Sequence, residues 1–256
     1  MNNSARRTLE VLELLASSDE ALTVSEIAKS LCIPKSSAFD LVSVLLEKNY
    51  IHLHNTKAKT YSLGFSTYRI GMAYINRADL YAAVHPLLVE LSEKYRQTFY
   101  LAVEDNGEIV YLDKVESDAP IRSICRIGSK NLMHLTGLGK AILSGYSEQK
   151  VRSIIKEPLE IRTENTIRSV DELLKETETI RQRGYAIDIK EDNQMVCCVA
   201  APIRGADGSV IAAMSASLLS ADDTTLQTLE MLAKPICAAA LEASKRMGYT
   251  GFALYE

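Results

Sequence analysis

Apolar residues recur at helical spacing through the first fifty positions of the chain. One such stretch covers residues 6–17, and a second covers residues 34–49. Pro34 suits the first position of the second helix, because its missing N–H costs nothing there. The expected apolar face of the first helix consists of Leu9, Leu12, Leu15 and Ala16. The expected inward face of the second consists of Ala38, Leu41, Val42 and Leu45.

A shorter helix is predicted between these two. Thr23 stands three residues before Glu26, so its hydroxyl can accept from the Glu26 amide while the Glu26 carboxylate reaches back. This capping box starts a helix that is expected to end at Ser30. Residues 31–33 then form a tight turn that leads into the next helix.

Alternating residues follow the third helix. Residues 50–53 and 60–63 read as two strands, and residues 55–59 form a polar tip between them. A short helix, a tight turn, a second helix and a β-hairpin are typical of a winged helix-turn-helix. The spacing alone also fits a small helical subdomain with no role in DNA binding.

The rest of the chain has a different pattern. Residues 64–78 are predicted to form a linker helix that either bridges two domains or pairs with a second copy of itself. Residues 79–256 predict the order α-βββ-ααα-βββ-α, with the third strand expected at 121–127. This order indicates an α+β domain with a mostly antiparallel sheet flanked by helices. Residues 1–63 are therefore expected to be a separate domain.

Composition excludes several classes of protein. Hydrophobic residues make up 47% and charged residues 24%, which are ordinary values for a globular chain. Apolar runs fall well short of 18 residues and no signal peptide is recognised, so we expect neither a membrane partner nor secretion. The five cysteines are odd in number and contain no C-x-x-C, which favours reduced thiols in the cytoplasm.

The net charge of −4 is spread unevenly. Residues 1–76 carry 8 Lys+Arg against 7 Asp+Glu, whereas residues 77–256 carry 21 against 26. A uniformly basic surface is excluded, but the balance leaves room for a local basic patch in the amino-terminal part.

Several stretches, in order and at similar spacing, resemble the IclR family of bacterial transcriptional regulators over nearly the whole length. They are residues 22–28, 33–37, 61–64, 128–141, 183–188 and 198–203. The resemblance implies a winged helix-turn-helix domain, a linker helix and a GAF-like effector-binding domain, assembled as a dimer or tetramer.

The helix after Pro34 is the predicted reader of a double-stranded DNA operator. Its first N–H groups and its dipole favour phosphate, and Lys35 adds charge. Phe39 can touch a thymine methyl group, and Asp40 can accept from cytosine N4. Asp40 departs from the family, which commonly has a basic residue there. The expected DNA-binding residues are Thr23, Lys35, Ser36, Ser37, Phe39, Asp40, Ser43, Lys57 and Lys59.

An effector pocket is predicted where a helix begins near Gly139. Free N–H groups at residues 137–139 would form an anion nest suited to a carboxylate, and Ser215 and Ser217 share one strand face. By resemblance, the effector positions are Gly137, Leu138, Asp188, Cys198, Ser215 and Ser217, with Asn131 as a wall residue. Met195 stands where the family usually has Gly, which bears on the shape of the pocket.

No catalytic residue, metal or cofactor is predicted. Residues 137–140 resemble a phosphate-binding loop only in part, because His134 occupies the first glycine position and Ala141 replaces the Mg²⁺-binding hydroxyl. His134 with Cys198 as base and nucleophile remains an open alternative.

Two further alternatives concern histidines and cysteines. His52 and His54 share a strand face and could start a metal site, and Cys197 with Cys198 could sense oxidation. The leading hypothesis is a ligand-responsive transcriptional regulator. The alternative is a small-molecule enzyme built on the carboxy-terminal sheet domain, with the amino-terminal part as a dimerisation module.

Overall fold

A computed structural model of the protein describes residues 3–77, 79–116, 125–219 and 225–255. The chain divides into two compact units, Met1–Ala78 and Asp79–Glu256. Each unit has its own hydrophobic core.

The first unit contains four helices and a small antiparallel sheet among its described residues. The helices are α1 (Asn3–Ser17), α2 (Val24–Ser30), α3 (Lys35–Glu47) and α4 (Phe65–Arg77), and the strands are β1 (Leu22–Thr23), β2 (Ile51–Asn55) and β3 (Thr60–Leu63). The sheet has the order β1-β3-β2. The two-residue strand β1 was not predicted, because so short a segment has no detectable period.

The core of the first unit confirms the predicted inward face of α3. Ala38, Leu41, Val42 and Leu45 are all buried. The prediction for α1 was partly wrong. Leu15 is buried as expected, but Leu9 is 59% exposed, Ala16 is also exposed, and the most deeply buried residue is Val11. Pro34 is also one position outside α3. Its ψ of 142° is extended, and its carbonyl accepts the first helical hydrogen bond from Ala38.

The second unit is a six-stranded sheet with helices on both faces. Its helices are α5 (Asp79–Tyr95), α6 (Gly137–Leu143), α7 (Glu148–Ile154), α8 (Val170–Arg183) and α9 (Thr225–Arg246). Its strands are β4 (Thr98–Asp105), β5 (Glu108–Val115), β6 (Lys130–Leu132), β7 (Ala186–Ile189), β8 (Val196–Arg204) and β9 (Val210–Leu219). A 3₁₀ turn covers Met133–Leu135.

Every neighbouring pair in this sheet is antiparallel, in the order β6-β5-β4-β9-β8-β7. Successive residues of a strand point to opposite faces, so each strand serves two cores. Met214 and Ala216 pack with α5 and α9 on one face, whereas Ala213 packs with α6 and α8 on the other.

Two predicted boundaries in this unit were wrong. Of the strand expected at 121–127, residues 121–124 lie outside the described part of the chain, and residues 125–127 are not in a strand. The strand that pairs with β5 is instead β6. Helix α6 begins two residues before the expected Gly139, because the Thr136 hydroxyl caps it by accepting from the Gly139 N–H at 3.0 Å.

Candidate functional site

The amino-terminal end of α3 presents unpaired backbone donors on an exposed surface. The N–H groups of Lys35, Ser36 and Ser37 come before the first helical hydrogen bond, and no side chain of the described residues caps them. The Lys35 and Ser36 side chains are exposed, and Ser37 is half-buried. Phosphate oxygens satisfy such donors well, because the groups are fixed and the helix dipole is positive there.

The outward face of α3 continues this surface. Phe39 is 58% exposed, which is unusual for a large aromatic side chain in a small unit. Asp40 and Ser43 are also exposed. The Ser43 hydroxyl donates to the Phe39 carbonyl at 2.8 Å, so its oxygen is left to accept rather than donate.

Thr23 is the predicted DNA-binding residue with the least freedom. Its hydroxyl donates to Glu26 Oε2 at 2.8 Å and accepts from the Glu26 N–H at 3.3 Å, while its own N–H donates to Glu26 Oε2 at 2.7 Å. The predicted capping box is therefore complete. Thr23 therefore acts mainly as the N-cap of α2. One lone pair of its hydroxyl oxygen remains to accept a further hydrogen bond.

The tip of the β2–β3 hairpin is held by an asparagine turn. Asn55 Oδ1 accepts from the N–H groups of Lys57 and Ala58 at 2.9 and 3.0 Å. The Lys57 and Lys59 side chains are both exposed. The tip thus presents two cations on a fixed backbone.

In the second unit the register brings three of the predicted effector residues into one row. Asp188 of β7 lies opposite Cys198 of β8, and Cys198 lies opposite Ser217 of β9. The Cys198 thiol donates to Ser217 Oγ at 3.5 Å. Ser215 stands two residues along β9 in the neighbouring row, between Ala200 and Tyr100. This part of the sheet carries small side chains.

Helix α6 begins directly over this row. A methyl group placed on Gly137 would lie 3.5 Å from the Ala200 Cβ, 3.6 Å from the Cys198 Cβ and 3.7 Å from the Asp188 Cβ. The first N–H groups of α6, at Gly137 and Leu138, therefore lie beside Asp188 and Cys198. The expectation that the Gly139 N–H is also free was wrong, since Thr136 uses it.

Asn131 lies in a polar network at the side of this region. Its Nδ2 donates to Asp192 Oδ2 at 3.1 Å, and its Oδ1 accepts from Leu132 N–H and Arg162 Nη1. Arg162 Nη1 also contacts Asp192 at 2.5 Å. The structure thus links Asn131 to Arg162 and Asp192, which sequence spacing did not bring together.

A buried cluster of charged side chains adjoins the Asp188–Cys198–Ser217 row. The sequence analysis did not predict this cluster. Lys140, 1% exposed, donates to Glu191 Oε1 at 2.5 Å, and Asp188 Oδ1 accepts from the Glu191 N–H at 2.9 Å. Burial raises the pKa of Asp188 to about 7, against the attraction of Lys140 and with the help of Glu191. The spacing Asp188-x-x-Glu191 was visible in the sequence, but nothing there showed that Lys140 points at it.

Two tyrosines, missed from the sequence, lie on the same face of the sheet. Tyr100 is the direct cross-strand neighbour of Ser215, and its ring meets that of Tyr111 edge-on with centroids 5.4 Å apart. Both are buried. They form an aromatic wall next to the small residues of β8 and β9.

The contacts of His134 and Cys198 do not support the enzymatic and redox alternatives. His134 Nε2 contacts the Glu160 carbonyl at 2.9 Å, whereas the Cys198 thiol donates to Ser217, so they are not paired as base and nucleophile. Burial raises the pKa of Cys198 well above its ordinary value, which keeps the thiol protonated and unreactive.

On the hairpin, His52 is engaged in contacts within the first unit. His52 Nδ1 contacts the Leu63 carbonyl at 3.0 Å, and His52 Nε2 contacts the Ser62 hydroxyl at 3.3 Å. Across the described ranges, no cluster of three or more His, Cys, Asp or Glu side chains could hold a metal ion. Within the same ranges, every helix is too short or too polar to cross a lipid bilayer.

Comparison with known proteins covers both units. Residues 4–53 match the family model of the IclR helix-turn-helix domain, and residues 72–245 match that of the bacterial transcriptional regulator IclR C-terminal domain. The chain is 29% identical over 249 residues to the HTH-type transcriptional regulator XynR of Escherichia coli K12, covering 96% of this chain and 97% of XynR.

Solved structures agree with these matches. The Thermotoga maritima IclR structure is 30% identical, with a TM-score of 0.78, and the match covers 97% of this chain and all of that one. The same fold occurs in an IclR homologue from Microbacterium hydrocarbonoxydans complexed with 4-hydroxybenzoate. That protein is 19% identical, with a TM-score of 0.83 and coverage of 96% and 99%.

These matches cover the helix-turn-helix and the sheet domain in the order that the structure shows. The matched families and relatives are transcriptional regulators and not enzymes. The chain belongs to the IclR family of bacterial transcriptional regulators.

Proposed function

We propose that this protein regulates transcription by binding a double-stranded DNA operator through α3 and the β2–β3 hairpin. The observation that carries the proposal is the uncapped, exposed start of α3, where three backbone donors lie beside Lys35 and Ser36. Phosphates position such a helix, and side chains on its outward face then meet base edges. Phe39 and Asp40 are the side chains that would read bases.

We further propose that a small organic acid binds over the Asp188–Cys198–Ser217 row. The backbone donors of Gly137 and Leu138, with the hydroxyls of Ser215 and Ser217, suit a carboxylate. The neighbouring Tyr100 and Tyr111 suit an aromatic ring. The homologue complexed with 4-hydroxybenzoate supports an aromatic acid as the first candidate. Such an effector acts only if it binds two conformations of the protein with different affinity.

The regulator is proposed to work as a homo-oligomer through α4. Phe65 is 74% exposed, Tyr68 61% and Ile70 54%, and the first two rings contact each other at a tilt of 35° with centroids 5.7 Å apart. Exposed apolar groups in such density mark an interface. A second copy of the chain is the proposed partner, because paired DNA-binding domains read paired half-sites.

The deciding experiment selects DNA duplexes from a random pool with the full-length protein and measures binding by fluorescence anisotropy. A selected duplex should bind at least about 100-fold more tightly than random DNA at the same salt concentration. Adding 4-hydroxybenzoate, benzoate or phenol then tests the effector. The two carboxylates should shift the DNA affinity and phenol should not. Failure to select any sequence would contradict the DNA proposal, and equal effects of all three compounds would contradict the effector proposal.

A further inference from the structure

A groove distinct from the proposed effector pocket runs between α8 and the edge strand β7. It encloses about 610 Å³ and is lined on one side by a stripe of α8 at helical spacing. Ile187 and Ile189 of the edge strand β7 line the opposite side, and Lys140 and Glu191 also line the groove. Among the described residues that line it, none belongs to the proposed effector site. We call this cavity the α8–β7 groove.

Most charges in the groove already have partners. Lys140 is paired with Glu191 at 2.5 Å, and Arg183 is paired with Glu176 at 3.3 Å. Glu172 accepts from the Arg168 N–H at the start of α8, where a carboxylate is stabilised by the helix. Lys175 is exposed and makes no ion pair with any residue that the structure describes. Within the described part of the chain, Lys175 is therefore a cation of the groove without an ionic partner.

Glu191, which also lines the groove, has a buried carboxylate oxygen that accepts no hydrogen bond from the described residues. Glu191 is 8% exposed, and its Oε2 has no hydrogen-bond donor among the described residues. A buried carboxylate oxygen without a donor is destabilising, so a ligand that donates to it recovers that free energy.

The charge balance around Glu191 indicates which donor fits. Two carboxylates, Asp188 and Glu191, are buried beside a single cation, Lys140. Burial raises the pKa of Glu191, against the attraction of Lys140. An ammonium group supplies both the donor and the missing charge, whereas a hydroxyl supplies the donor alone.

We propose that the α8–β7 groove binds a small amino acid as a zwitterion, separately from the proposed effector. Its ammonium group donates to Glu191 Oε2 at the floor, and its carboxylate pairs with Lys175 on α8. The methylene groups between them lie along the edge of β7. A ligand with only one of the two charged groups leaves either Lys175 or Glu191 without its partner.

The test is calorimetric titration of the full-length protein, without DNA, against glycine, β-alanine, 4-aminobutyrate and 5-aminopentanoate. The series varies the separation of the two charges. We expect at least one member to bind about tenfold or more tightly than both its deaminated and its decarboxylated analogue, such as butyrate and butylamine for 4-aminobutyrate. Equal affinity for zwitterion and analogues throughout the series would overturn the proposal.

Variants locate the site. Lys175→Gln should weaken the zwitterion about tenfold and leave the amine unchanged, because it removes only the carboxylate's partner. The matched control Lys156→Gln removes an exposed lysine of the same unit outside the groove and should change nothing. An unchanged affinity of Lys175→Gln for the zwitterion would contradict the proposal.

One more variant separates this site from the effector pocket. Gly137→Ala places a methyl group over Asp188, Cys198 and Ala200 without a clash, and should leave zwitterion binding intact. Loss of zwitterion binding in that variant would place the ligand in the effector pocket and overturn the assignment to the groove. Because DNA is absent, the result does not depend on whether the regulator proposal holds.

Discussion

The proposed DNA-binding surface and the proposed effector pocket are built in opposite ways. The first consists of exposed side chains that follow one another along α3, from Lys35 to Ser43. The second consists of mostly buried groups from α6, β7, β8 and β9, up to 80 positions apart in the chain. A change in the first should therefore alter binding without altering stability. A change in the second should alter both, unless the added atoms fit existing space.

The largest effect is expected where the pocket meets the core. A side chain at Gly139 would overlap the backbone of Met133, whereas one at Gly137 meets its neighbours at ordinary contact distance. Gly139→Ala should lower the free energy of unfolding by about 3 kcal/mol, because backbone must move. Gly137→Ala should leave it within about 0.5 kcal/mol while weakening the effector.

Urea unfolding of the two variants side by side checks this contrast. Equal stability of Gly139→Ala and Gly137→Ala would show that α6 does not pack on the Met133 turn as described.

The next effect is a pH dependence that only the buried site should show. Asp188, with a pKa of about 7, faces Lys140, Glu191, Asp192 and Cys198. Ionised Asp188 repels an effector carboxylate, so binding favours the protonated form. The affinity of the protein for the effector should be constant below about pH 6. It should fall by up to about tenfold per pH unit above pH 7.

The same raised pKa links folding to pH. Its stabilising contribution is fully present below the ordinary carboxyl pKa of 3.8 and is lost as the pH rises through about 7.

Calorimetry in buffers of different ionisation enthalpy would measure the proton uptake on effector binding directly. Asp188→Asn should make the affinity flat between pH 6 and 9. A slope that persists in this variant would assign the proton to another group.

A smaller effect is expected at the exposed surface. Lys35→Ala should weaken binding of a selected duplex by about three- to tenfold and reduce the slope of log affinity against log salt by about 0.9. Stability should not change, since Lys35 is exposed and caps nothing. Lys48→Ala is the control, because it removes an exposed lysine about 20 Å away at the other end of α3. Equal losses of DNA affinity in the two variants would mean that the start of α3 does not contact the DNA.

This contrast also explains what could be predicted from the sequence. The spacing of Ala38, Leu41, Val42 and Leu45 is local, so it predicted the buried face of α3 and hence its exposed face. The pairing of Lys140 with Glu191 spans 51 positions and depends on how α6 crosses β7. No local pattern contains that information.

The pocket residues themselves were named through a family resemblance, because their own spacing has no period that singles them out. Gly137 and Asp188 meet only because β7 and β8 pair in one register. Even there, the resemblance did not show that Thr136 uses the Gly139 N–H, since a capping bond depends on where the helix starts.

The smallest expected effect concerns Asp40, an acidic residue near the start of the outward face of α3. Its carboxylate repels phosphates but can accept from cytosine N4. Asp40→Asn should raise affinity for random DNA by about threefold, because only the repulsion acts there. Glu47→Gln, at the far end of α3, should change nothing. A selected duplex separates the two roles, since its affinity should rise equally if Asp40 only repels. A fall confined to that duplex, together with a lost preference at one base pair, would instead assign Asp40 to direct reading of cytosine.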